Sequence, residues 1–220
     1  MNTNLSNKDM RFAVLAVDVV CLKIIKGKLC VLLKKTADDS PFIGMWALVG
    51  GMVRVKETVE DAAERLLANK VDIHNATVRQ LHVFSGIDRD PRGRTVSVAF
   101  LSVKFENGED ENEELETKWV EVTKVGKLGY DHNEILDVAR KQLRQYILDS
   151  VHDTFYIQSL APKEFTLSEL QTIYETAIAE SVDKRNFRRQ FLTADLLEAT
   201  GEKKSDGKMR PAKLYIFKKK

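Results

Sequence analysis

The stretch Trp46–Ile73 holds the residues whose types and spacing could do chemistry. A Gly-Gly turn is followed by Glu57, and Arg65 comes eight residues after that glutamate. A carboxylate placed in this way could help to hold a hard divalent cation, which needs several anionic oxygen ligands. The residues that follow Arg65 on the predicted helix include Leu66, Asn69 and Lys70. Because a leucine, an amide and an ammonium group supply no carboxylate, the stretch predicts no metal site.

The spacing of Gly51, Glu57 and Arg65 resembles the Nudix box, the signature of hydrolases that act on diphosphates. In those enzymes a glutamate follows the arginine, and a Glu-Glu pair one helical turn later completes the divalent metal site. The corresponding positions here, with the closing glycine of the box, are Leu66, Asn69, Lys70 and Asp72. The preceding WALVGG matches the usual entry to the box, with Val49 where proline is common. The resemblance therefore implies a Nudix fold without a catalyst.

A simpler interpretation of this stretch is a buried turn that leads into an ordinary amphipathic helix over Thr58–Ala68. Apolar residues recur at helical spacing, and those expected to face the core are Val59, Ala62, Ala63, Leu66 and Leu67. The helix taken alone favours this interpretation. The segment SPFIGMWALVGG before it favours the Nudix interpretation.

Length and composition indicate one large or two small domains with room for a core. The chain has 220 residues, of which 43% are hydrophobic. No apolar run reaches membrane-spanning length, and the polar start MNTNLSNKDM lacks the apolar segment of a signal peptide. Cys21 and Cys30 lie in apolar runs and are expected to be packed thiols. We therefore expect a soluble cytoplasmic protein with no cofactor and no membrane partner.

The net charge of +2 conceals an asymmetry between the two ends of the chain. From Asp183 to Lys220 there are twelve basic and five acidic residues, a formal charge of +7, whereas the remainder carries −5. A basic end of this kind is typical of a nucleic-acid-binding region. An ordinary solvated surface would have the same composition, so charge alone leaves both interpretations open.

Apolar and alternating runs before residue 150 predict a mixed sheet and one long helix. The run Arg11–Val20 and the run after Lys26–Lys28 predict a hairpin of buried strands, and the segments around DRDPRGR predict two more strands joined by a solvated turn. Asp18 interrupts the first strand, either as a hydrogen-bonded structural residue or as a ligand contact. A helix is expected to begin near Asp131–Asn133, where the Asp131-His132 pair is a candidate site and Asp131 is equally a candidate N-cap. Its apolar stripe is Ile135, Leu136, Ala139, Leu143 and Ile147.

From Val151 the pattern changes to that of a winged helix-turn-helix. One helix is expected in FTLSELQTIYETAIAE, starting at Thr166 or Ser168, and a second in DKRNFRRQFLTADLLEA, with Asp183 at its N-terminus. The segment EKKSDGKMRPAKLYIFKKK predicts a β-hairpin with its tip at residues 205–208. In this arrangement the second helix enters the major groove and the hairpin lies against phosphate.

The residues expected to contact DNA are basic or amide side chains on the second helix and the hairpin. They are Lys184, Arg185, Asn186, Arg188, Arg189, Lys208 and Arg210. Arginine reads guanine and asparagine reads adenine through paired hydrogen bonds, so one or two residues of the helix are expected to read bases. A small protein-interaction domain of the same topology is the alternative.

Both halves together resemble the Nudix-related transcriptional regulators, a family that joins a catalytically silent Nudix-like domain to a C-terminal winged helix. The resemblance is carried by FIGMWALVGG, DRDPRGR, LGYDHNEIL, FTLSELQTIYE, DKRNFRRQFL and RPAKLYIF. It implies an α+β fold, a Nudix-like α/β/α sandwich with a mixed sheet over residues 1–150 and a winged helix-turn-helix over 151–220. It also implies a homodimer that binds double-stranded operator DNA and acts as a repressor.

In this family the Nudix-like domain senses a small-molecule effector, which is ADP-ribose in regulators of NAD metabolism and a pentose in regulators of sugar utilisation. Because every carboxylate after Arg65 is replaced, we expect a neutral sugar, L-arabinose first, with ADP-ribose as the alternative. The candidate effector-binding residues are Asp18, Lys34, Trp46, Gly50, Gly51, Glu57 and Asp88. Trp46 is also a candidate core residue. The segment Tyr130–Ser150 is expected to transmit effector binding to the winged helix.

Two other functions are consistent with parts of the sequence. An active Nudix hydrolase would need carboxylates from elsewhere in the box, such as Glu57, Glu60 or Glu64. A protein-interaction adaptor would have no DNA target, and its binding would be indifferent to salt. The first would show turnover of a dinucleotide with Mg²⁺, which separates it from a regulator.

Overall fold

The computed structural model describes residues 12–103, 116–205 and 211–218. Within these residues, the first part of the chain forms one sheet whose strands are β1 (Val14–Ile25), β2 (Lys28–Lys35), β3 (Trp46–Ala47), β4 (Val49–Met52), β5 (Val78–Phe84), β6 (Thr95–Val103) and β7 (Thr117–Glu121). The path through the sheet is β3-β2-β1-β6-β5, with β4 also paired to β1 and β7 to β2. The predicted hairpin is confirmed by the antiparallel pairing of β1 with β2 around Lys26-Gly27.

Helix α1 (Val59–Val71) forms where the box predicted a helix. The hydroxyl of Thr58 accepts from the backbone N–H of Asp61, and the Asp61 carboxylate accepts from the N–H of Thr58, which closes a capping box. The helix ends at Asp72, whose φ of 54° is left-handed, a conformation that aspartate tolerates better than most residues. One face of α1 packs on the sheet, and the core between them includes Val17, Val19, Leu32, Val49, Phe100, Ala62, Ala63, Leu66 and Leu67.

Helix α2 (His132–Leu148) begins where the sequence predicted and buries the predicted stripe of Ile135, Leu136, Ala139, Leu143 and Ile147. It has 17 residues.

No helix in the described part of the chain combines the length and the apolar character needed to cross a membrane. Cys21 and Cys30 are buried thiols, as expected.

The last part of the chain contains α3 (Phe155–Leu160), β8 (Phe165–Thr166), α4 (Leu167–Ile178), α5 (Lys184–Thr193), β9 (Leu197–Lys204) and β10 (Ala212–Phe217). Strands β8, β10 and β9 form a separate sheet in that order. Thr166 caps α4 through a capping box with Glu169, and Asp183 caps α5 by accepting from the N–H of Asn186. The order of helices and strands is that of a winged helix, so the predicted fold class is confirmed for both halves.

The last part of the chain differs from the sequence analysis in two places. The helix α3 was not predicted, and α5 was expected to continue to Ala199 but ends at Thr193. Asp195 adopts a left-handed φ of 54°, and the carbonyl of Leu196 accepts from the N–H of Lys218. Residues Leu197–Lys204 therefore pair with β10 instead of extending the helix.

The described residues pack as two compact units. The first contains 12–21, 32–102 and 116–139, and the second contains 22–31, 103, 140–205 and 211–218. Strands β1 and β2 and helix α2 each contribute residues to both units. This division by packing does not decide where the chain divides into domains, so the boundary after residue 150 stays a prediction.

Phe191 and Leu192 provide a matched test of the core of the winged helix. Phe191 is fully buried, whereas 47% of Leu192 is exposed. Phe191→Ala is expected to lower the free energy of unfolding by about 3–5 kcal/mol because it leaves a cavity, whereas Leu192→Ala should change it by less than about 0.5 kcal/mol. Both tryptophans, Trp46 and Trp119, lie in the first unit and give no signal from the winged helix. Urea unfolding should therefore be followed by far-ultraviolet circular dichroism. Equal losses in the two variants would contradict this packing.

Candidate effector cavity and nucleic-acid interface

The first unit contains a cavity of about 310 Å³. It lies beside β1 and β4, and its walls come from the ends of β2, the segments around residues 36–40 and 89–95, and the start of α2. The polar and aromatic side chains that line it are Asp18, Lys34, Lys35, Thr36, Asp39, Ser40, Lys70, Arg89, Asp90, Arg92, Thr95, Tyr130 and His132. Its apolar lining comes from Ala16, Ala37, Ala47, Leu48, Val49 and Met52.

The Gly-Gly turn is required by the close approach of β1 and β4. Asp18 lies opposite Gly50 in the antiparallel register of these strands. A Cβ atom on Gly50 would lie 2.1 Å from Oδ1 of Asp18, and one on Gly51 would lie 2.8 Å from a methyl group of Leu66. The two glycines therefore let the carboxylate and helix α1 lie directly against the β4 backbone.

Asp18 lies at the centre of a buried polar network. Nη2 of Arg89 lies 3.1 Å from one carboxylate oxygen of Asp18, and the Ser97 hydroxyl donates to the same oxygen at 2.7 Å. Burial by itself would raise the pKa of Asp18, but contacts with His132, Ser97 and Arg89 hold it below its usual range. Asp18 is therefore a charged, fully engaged residue, which favours the structural interpretation made from the sequence while leaving it on the cavity wall.

Arg89 joins this network to the start of α2. Its Nε and Nη2 atoms donate to the two carboxylate oxygens of Asp131 at 2.8 and 2.7 Å. Asp131, the candidate N-cap, lies directly before α2, and its carbonyl accepts from the N–H of Ile135 at 3.2 Å while its carboxylate holds this guanidinium group. The segment DRDPRGR was predicted as a solvated turn, and that prediction was wrong for Arg89 and Asp90, which are buried. The reason is the ion pairing, which compensates for removing Arg89 from water.

His132 fixes the first turn of α2 against the β3–β4 junction. Its Nδ1 atom accepts from the backbone N–H of Leu48 at 2.9 Å, and its Nε2 atom lies 3.3 Å from Oδ1 of Asp18. Because Nδ1 is an acceptor, the proton of the neutral ring lies on Nε2 and faces the carboxylate. The histidine is therefore a buried link between α2, β1 and the Gly-Gly turn.

Another part of the cavity wall combines an ion pair with an aromatic ring. Arg92 donates to both carboxylate oxygens of Asp90, at 3.0 and 2.9 Å, and its guanidinium carbon lies 5.7 Å from the centre of the Tyr130 ring. Tyr130 also contacts Phe42 edge to face at 4.6 Å and hydrogen-bonds to Ser40. This wall therefore offers a half-exposed aromatic face next to a cation.

Lys70 places a positive charge inside the cavity. Its ammonium group donates to the carbonyl of Gly50 at 2.7 Å. Burial and the neighbouring charge of Lys34 lower the pKa of Lys70. Lys34 and Lys35 add two further basic side chains to the lining.

The carboxylates near the box do not form a metal-ligand set. Glu57 receives hydrogen bonds from Nε and Nη2 of Arg65, and Nη2 also donates to the carbonyl of Met52. The hydrogen bonds from Arg65 lower the pKa of Glu57 to about 2. Among the described residues, no group of three or more His, Cys, Asp or Glu side chains could hold a metal ion. Through these hydrogen bonds, Glu57 and Arg65 hold the turn before α1 in place.

The structure brings some of the predicted effector-binding residues together and separates others. Asp18, Lys34, Gly50 and Gly51 line the cavity, whereas Trp46, Glu57 and Asp88 are not among its lining residues. The ammonium group of Lys118 lies 3.8 Å from the centre of the Trp46 ring, and Asp88 is exposed.

The sequence analysis missed most of the polar cavity wall. The polar and aromatic lining residues absent from the predicted effector-binding set are Lys35, Thr36, Asp39, Ser40, Lys70, Arg89, Asp90, Arg92, Thr95, Tyr130 and His132. Alternating charges in DRDPRGR and the paired Asp131-His132 were the available signals, but turn and capping chemistry explained both equally well.

The second unit presents the predicted DNA-binding helix to solvent. Phe187 and Phe191 of α5 are buried, and both rings contact Tyr174 of α4, at 5.4 and 6.2 Å between ring centres. The side chains of Lys184, Arg185, Asn186, Arg188 and Arg189 are all exposed. Asn186 accepts a hydrogen bond from Arg189 at 3.2 Å, which orders two of the side chains that were expected to read bases.

The β9–β10 hairpin is the wing. The ammonium group of Lys204 lies 2.6 Å from the carboxylate of Glu169, which ties the end of β9 to the first turn of α4. The expected DNA contacts Lys208 and Arg210, and most of the predicted tip, lie outside the described residues. The structure therefore places the basic helix, and the role of each side chain stays a prediction.

Comparison with known proteins agrees with this architecture. Residues 14–141 match the NUDIX domain, and residues 157–217 match the NrtR DNA-binding winged helix domain. The fold and the site thus define a Nudix-domain protein with a C-terminal DNA-binding winged helix. The "ADPR responsive transcriptional repressor NtrR" of Acinetobacter baylyi is 31% identical over 209 residues, which cover 92% of this chain and 81% of that protein. The chain belongs to the NrtR family of Nudix-related regulators.

Two solved structures of NrtR from Shewanella oneidensis are similar to this chain. NrtR complexed with a 27mer DNA has a TM-score of 0.75 and 28% identity, over 93% of each chain. The NUDIX domain of the same protein complexed with ADP ribose has a TM-score of 0.54 and 27% identity, over 64% of this chain and 94% of that one. These relatives do not support the expected L-arabinose-responsive type, and that expectation is corrected.

Arg89→Met tests the buried network. It leaves Asp18 and Asp131 without their shared cation, and an uncompensated buried charge typically costs about 3–5 kcal/mol of folding free energy. The loss should be largest at neutral pH. In the wild type the lowered pKa of Asp18 gives stability that is present above its ordinary value of 3.8 and is lost as pH falls. In the variant the pKa of Asp18 rises, so the deficit should shrink on acidification.

Tryptophan fluorescence during urea unfolding is suited to this measurement, because both tryptophans lie in the first unit. Arg54→Met, which removes an exposed arginine from the same unit, is the matched control and should stay within about 0.5 kcal/mol of the wild type. A deficit of the same size at every pH would show that lost packing, and not charge pairing, is the cause.

Proposed function

We propose that this chain is an ADP-ribose-responsive transcriptional repressor. It binds operator DNA as a homodimer through its winged helix, and ADP-ribose in the Nudix cavity weakens that binding. The observation that carries the proposal is a cation-lined cavity with an aromatic wall, built in a Nudix domain that precedes a DNA-binding winged helix. The A. baylyi repressor named for its response to ADP-ribose supports the choice of effector.

The chemistry of the cavity favours ADP-ribose over a pentose. A diphosphate needs cations and N–H donors, and Lys34, Lys35 and Lys70 supply positive charge on one side of the cavity. An adenine ring needs an aromatic or guanidinium face, and Tyr130 with Arg92 supplies both. L-arabinose is neutral and would bring no negative charge to these lysines. The volume of about 310 Å³ lies at the lower end of the range for small-molecule sites.

We also propose that the Nudix domain is catalytically silent. Of the three carboxylates that could have rescued a metal site, Glu57 is held by Arg65, and Glu60 and Glu64 are exposed outside the cavity lining. Hydrolysis of a diphosphate by this class of enzyme depends on cations that polarise the phosphoryl oxygens. The same domain can bind the ligand without cleaving it.

Coupling between effector and DNA requires that ADP-ribose bind two dimer geometries with different affinities. The segment Tyr130–Ser150 is the proposed transmitter. Tyr130 and His132 line the cavity, Asp131 holds Arg89, and the helix that they begin extends to Leu148. A ligand that displaces any of these side chains therefore acts directly on the start of α2.

The expected outcome of a fluorescence-anisotropy titration is release by one ligand only. The protein is bound to labelled DNA from upstream of its own operon and titrated in parallel with ADP-ribose and with L-arabinose. ADP-ribose should release the DNA, and L-arabinose should not. No AMP should form when ADP-ribose and Mg²⁺ are incubated with the protein, as judged by chromatography.

The other outcomes of that titration are also informative. Release by L-arabinose alone would restore the pentose effector, and formation of AMP would restore the hydrolase. DNA binding that neither ligand disturbs would discard ADP-ribose as effector, and failure to bind any DNA would favour the adaptor. If ADP-ribose releases DNA from an Asp131→Asn variant at the same concentrations as from the wild type, Asp131 has no role as a transmitter.

Arg188→Ala tests the DNA-binding helix. Removal of one cation that contacts phosphate should weaken DNA binding and reduce the slope of log K against log salt by about 1. Loss of a base contact would instead cost about 1–3 kcal/mol on the operator and little on unrelated DNA. Lys127→Ala, an exposed cation of the first unit, is the control and should leave both quantities unchanged. Binding by the wild type that does not depend on salt would contradict DNA recognition by this surface.

A further inference from the structure

The three box positions that lost their carboxylates have three different fates in the fold. Leu66 is 3% exposed and belongs to the core beneath β4. Asn69 is exposed and is not among the residues that line the cavity. Lys70 alone points its side chain into the cavity, where its ammonium group lies 2.7 Å from the Gly50 carbonyl and 3.7 Å from the point where a Cβ of Gly51 would lie.

The remaining donors of the cavity do not fit a divalent cation. Asp18 is engaged by Arg89 and Ser97, and Asp90 is engaged by Arg92 through both oxygens. A cation of this kind takes six or more oxygen ligands, several of them anionic. In this cavity Asp18 and Asp90 are paired with guanidinium groups, which leaves Asp39 as the one other carboxylate of the described lining, and an ammonium group occupies the neighbourhood of the Gly-Gly turn.

We propose that Lys70 takes over the electrostatic role of the divalent metal, so that the cavity binds a diphosphate without metal through the Lys70 ammonium group. This inference rests on the proposed function, because it names the group that would neutralise the diphosphate of ADP-ribose. The Gly50 carbonyl orients the ammonium group, which has two further N–H donors for phosphate oxygens. Lys34 provides a second charge on the same lining.

The environment of Lys70 supports this assignment. Removing the ammonium group from water and placing it near the like charge of Lys34 both disfavour its charged form, and they lower its pKa. A bound anion would compensate for both effects, since it supplies opposite charge in a site with limited access to water. A lysine with a purely structural role would gain only the hydrogen bond to Gly50.

Isothermal titration calorimetry with the full chain can distinguish these roles. ADP-ribose is titrated in EDTA and again in millimolar Mg²⁺, and inorganic pyrophosphate is titrated in EDTA as the probe of the diphosphate site. The wild type should bind ADP-ribose with the same Kd in both buffers. Lys70→Met should weaken ADP-ribose and pyrophosphate by about 10- to 100-fold, as expected for the loss of a charge-assisted hydrogen bond. Mg²⁺ should not restore the loss.

Two further variants keep the result interpretable. Lys70→Arg retains the charge and should bind ADP-ribose within a few-fold of the wild type, which a merely structural hydrogen bond to Gly50 would not require. Lys56→Met removes an exposed lysine just before α1 and should have no effect on binding. Thermal unfolding of each variant establishes that it is folded.

Outcomes that contradict the proposal differ from those that contradict the proposed function. Binding of ADP-ribose by the wild type that needs Mg²⁺, or that Lys70→Met leaves unchanged, would overturn the role of Lys70 while keeping ADP-ribose as effector. The wild type could bind pyrophosphate without metal, in a way that depends on Lys70, and fail to bind ADP-ribose. That result would support the anion site and overturn ADP-ribose as the effector. Failure of the wild type to bind either compound would overturn both.

Discussion

The buried guanidinium group of Arg89 is the constraint on which the cavity depends. Removing a cation and two carboxylates from water costs several kcal/mol for each ion, and only their mutual contact offsets that cost. Asp18 lies on β1, Asp131 begins α2, and Arg89 comes from the segment between β5 and β6. One side chain thereby fixes the relative positions of three parts of the first unit. Ser97 and His132 complete the network, so that the carboxylate of Asp18 has a defined partner on each side.

The Nudix box in this chain keeps the residues that build the fold and lacks those that would bind a metal. Glu57 and Arg65 clamp the turn before α1, and Thr58 caps the helix. Leu66 packs in the core at a position where a hydrolase needs a carboxylate. Leu66 and Lys70 lie one helical turn apart, so the face of α1 that carries carboxylates in a hydrolase supplies one core residue and one cavity residue in this chain. Lys70 places a positive charge in the cavity at a box position where a hydrolase has a carboxylate.

The winged helix separates structure from recognition within a single helix. Phe187 and Phe191 hold α5 against Tyr174, while basic residues on its other faces remain in solvent. The aromatic contacts set the position of the helix and leave its basic side chains available to a partner in solution. The polar cavity and the basic helix lie in different units, and helix α2 contributes residues to both.

The sequence by itself determined the β1–β2 hairpin, the starts of α1, α4 and α5, and the replacement of the box carboxylates. These features depend on residues close together in the chain, such as Thr58 with Asp61, and on periodicity within one element. Only the tertiary structure decided which polar residues form the cavity. Arg89 is 71 residues from Asp18 in sequence, and a charged turn is buried only if its partners arrive from elsewhere in the chain. The end of α5 was decided in the same way, because strand pairing outside the helix competes with its continuation.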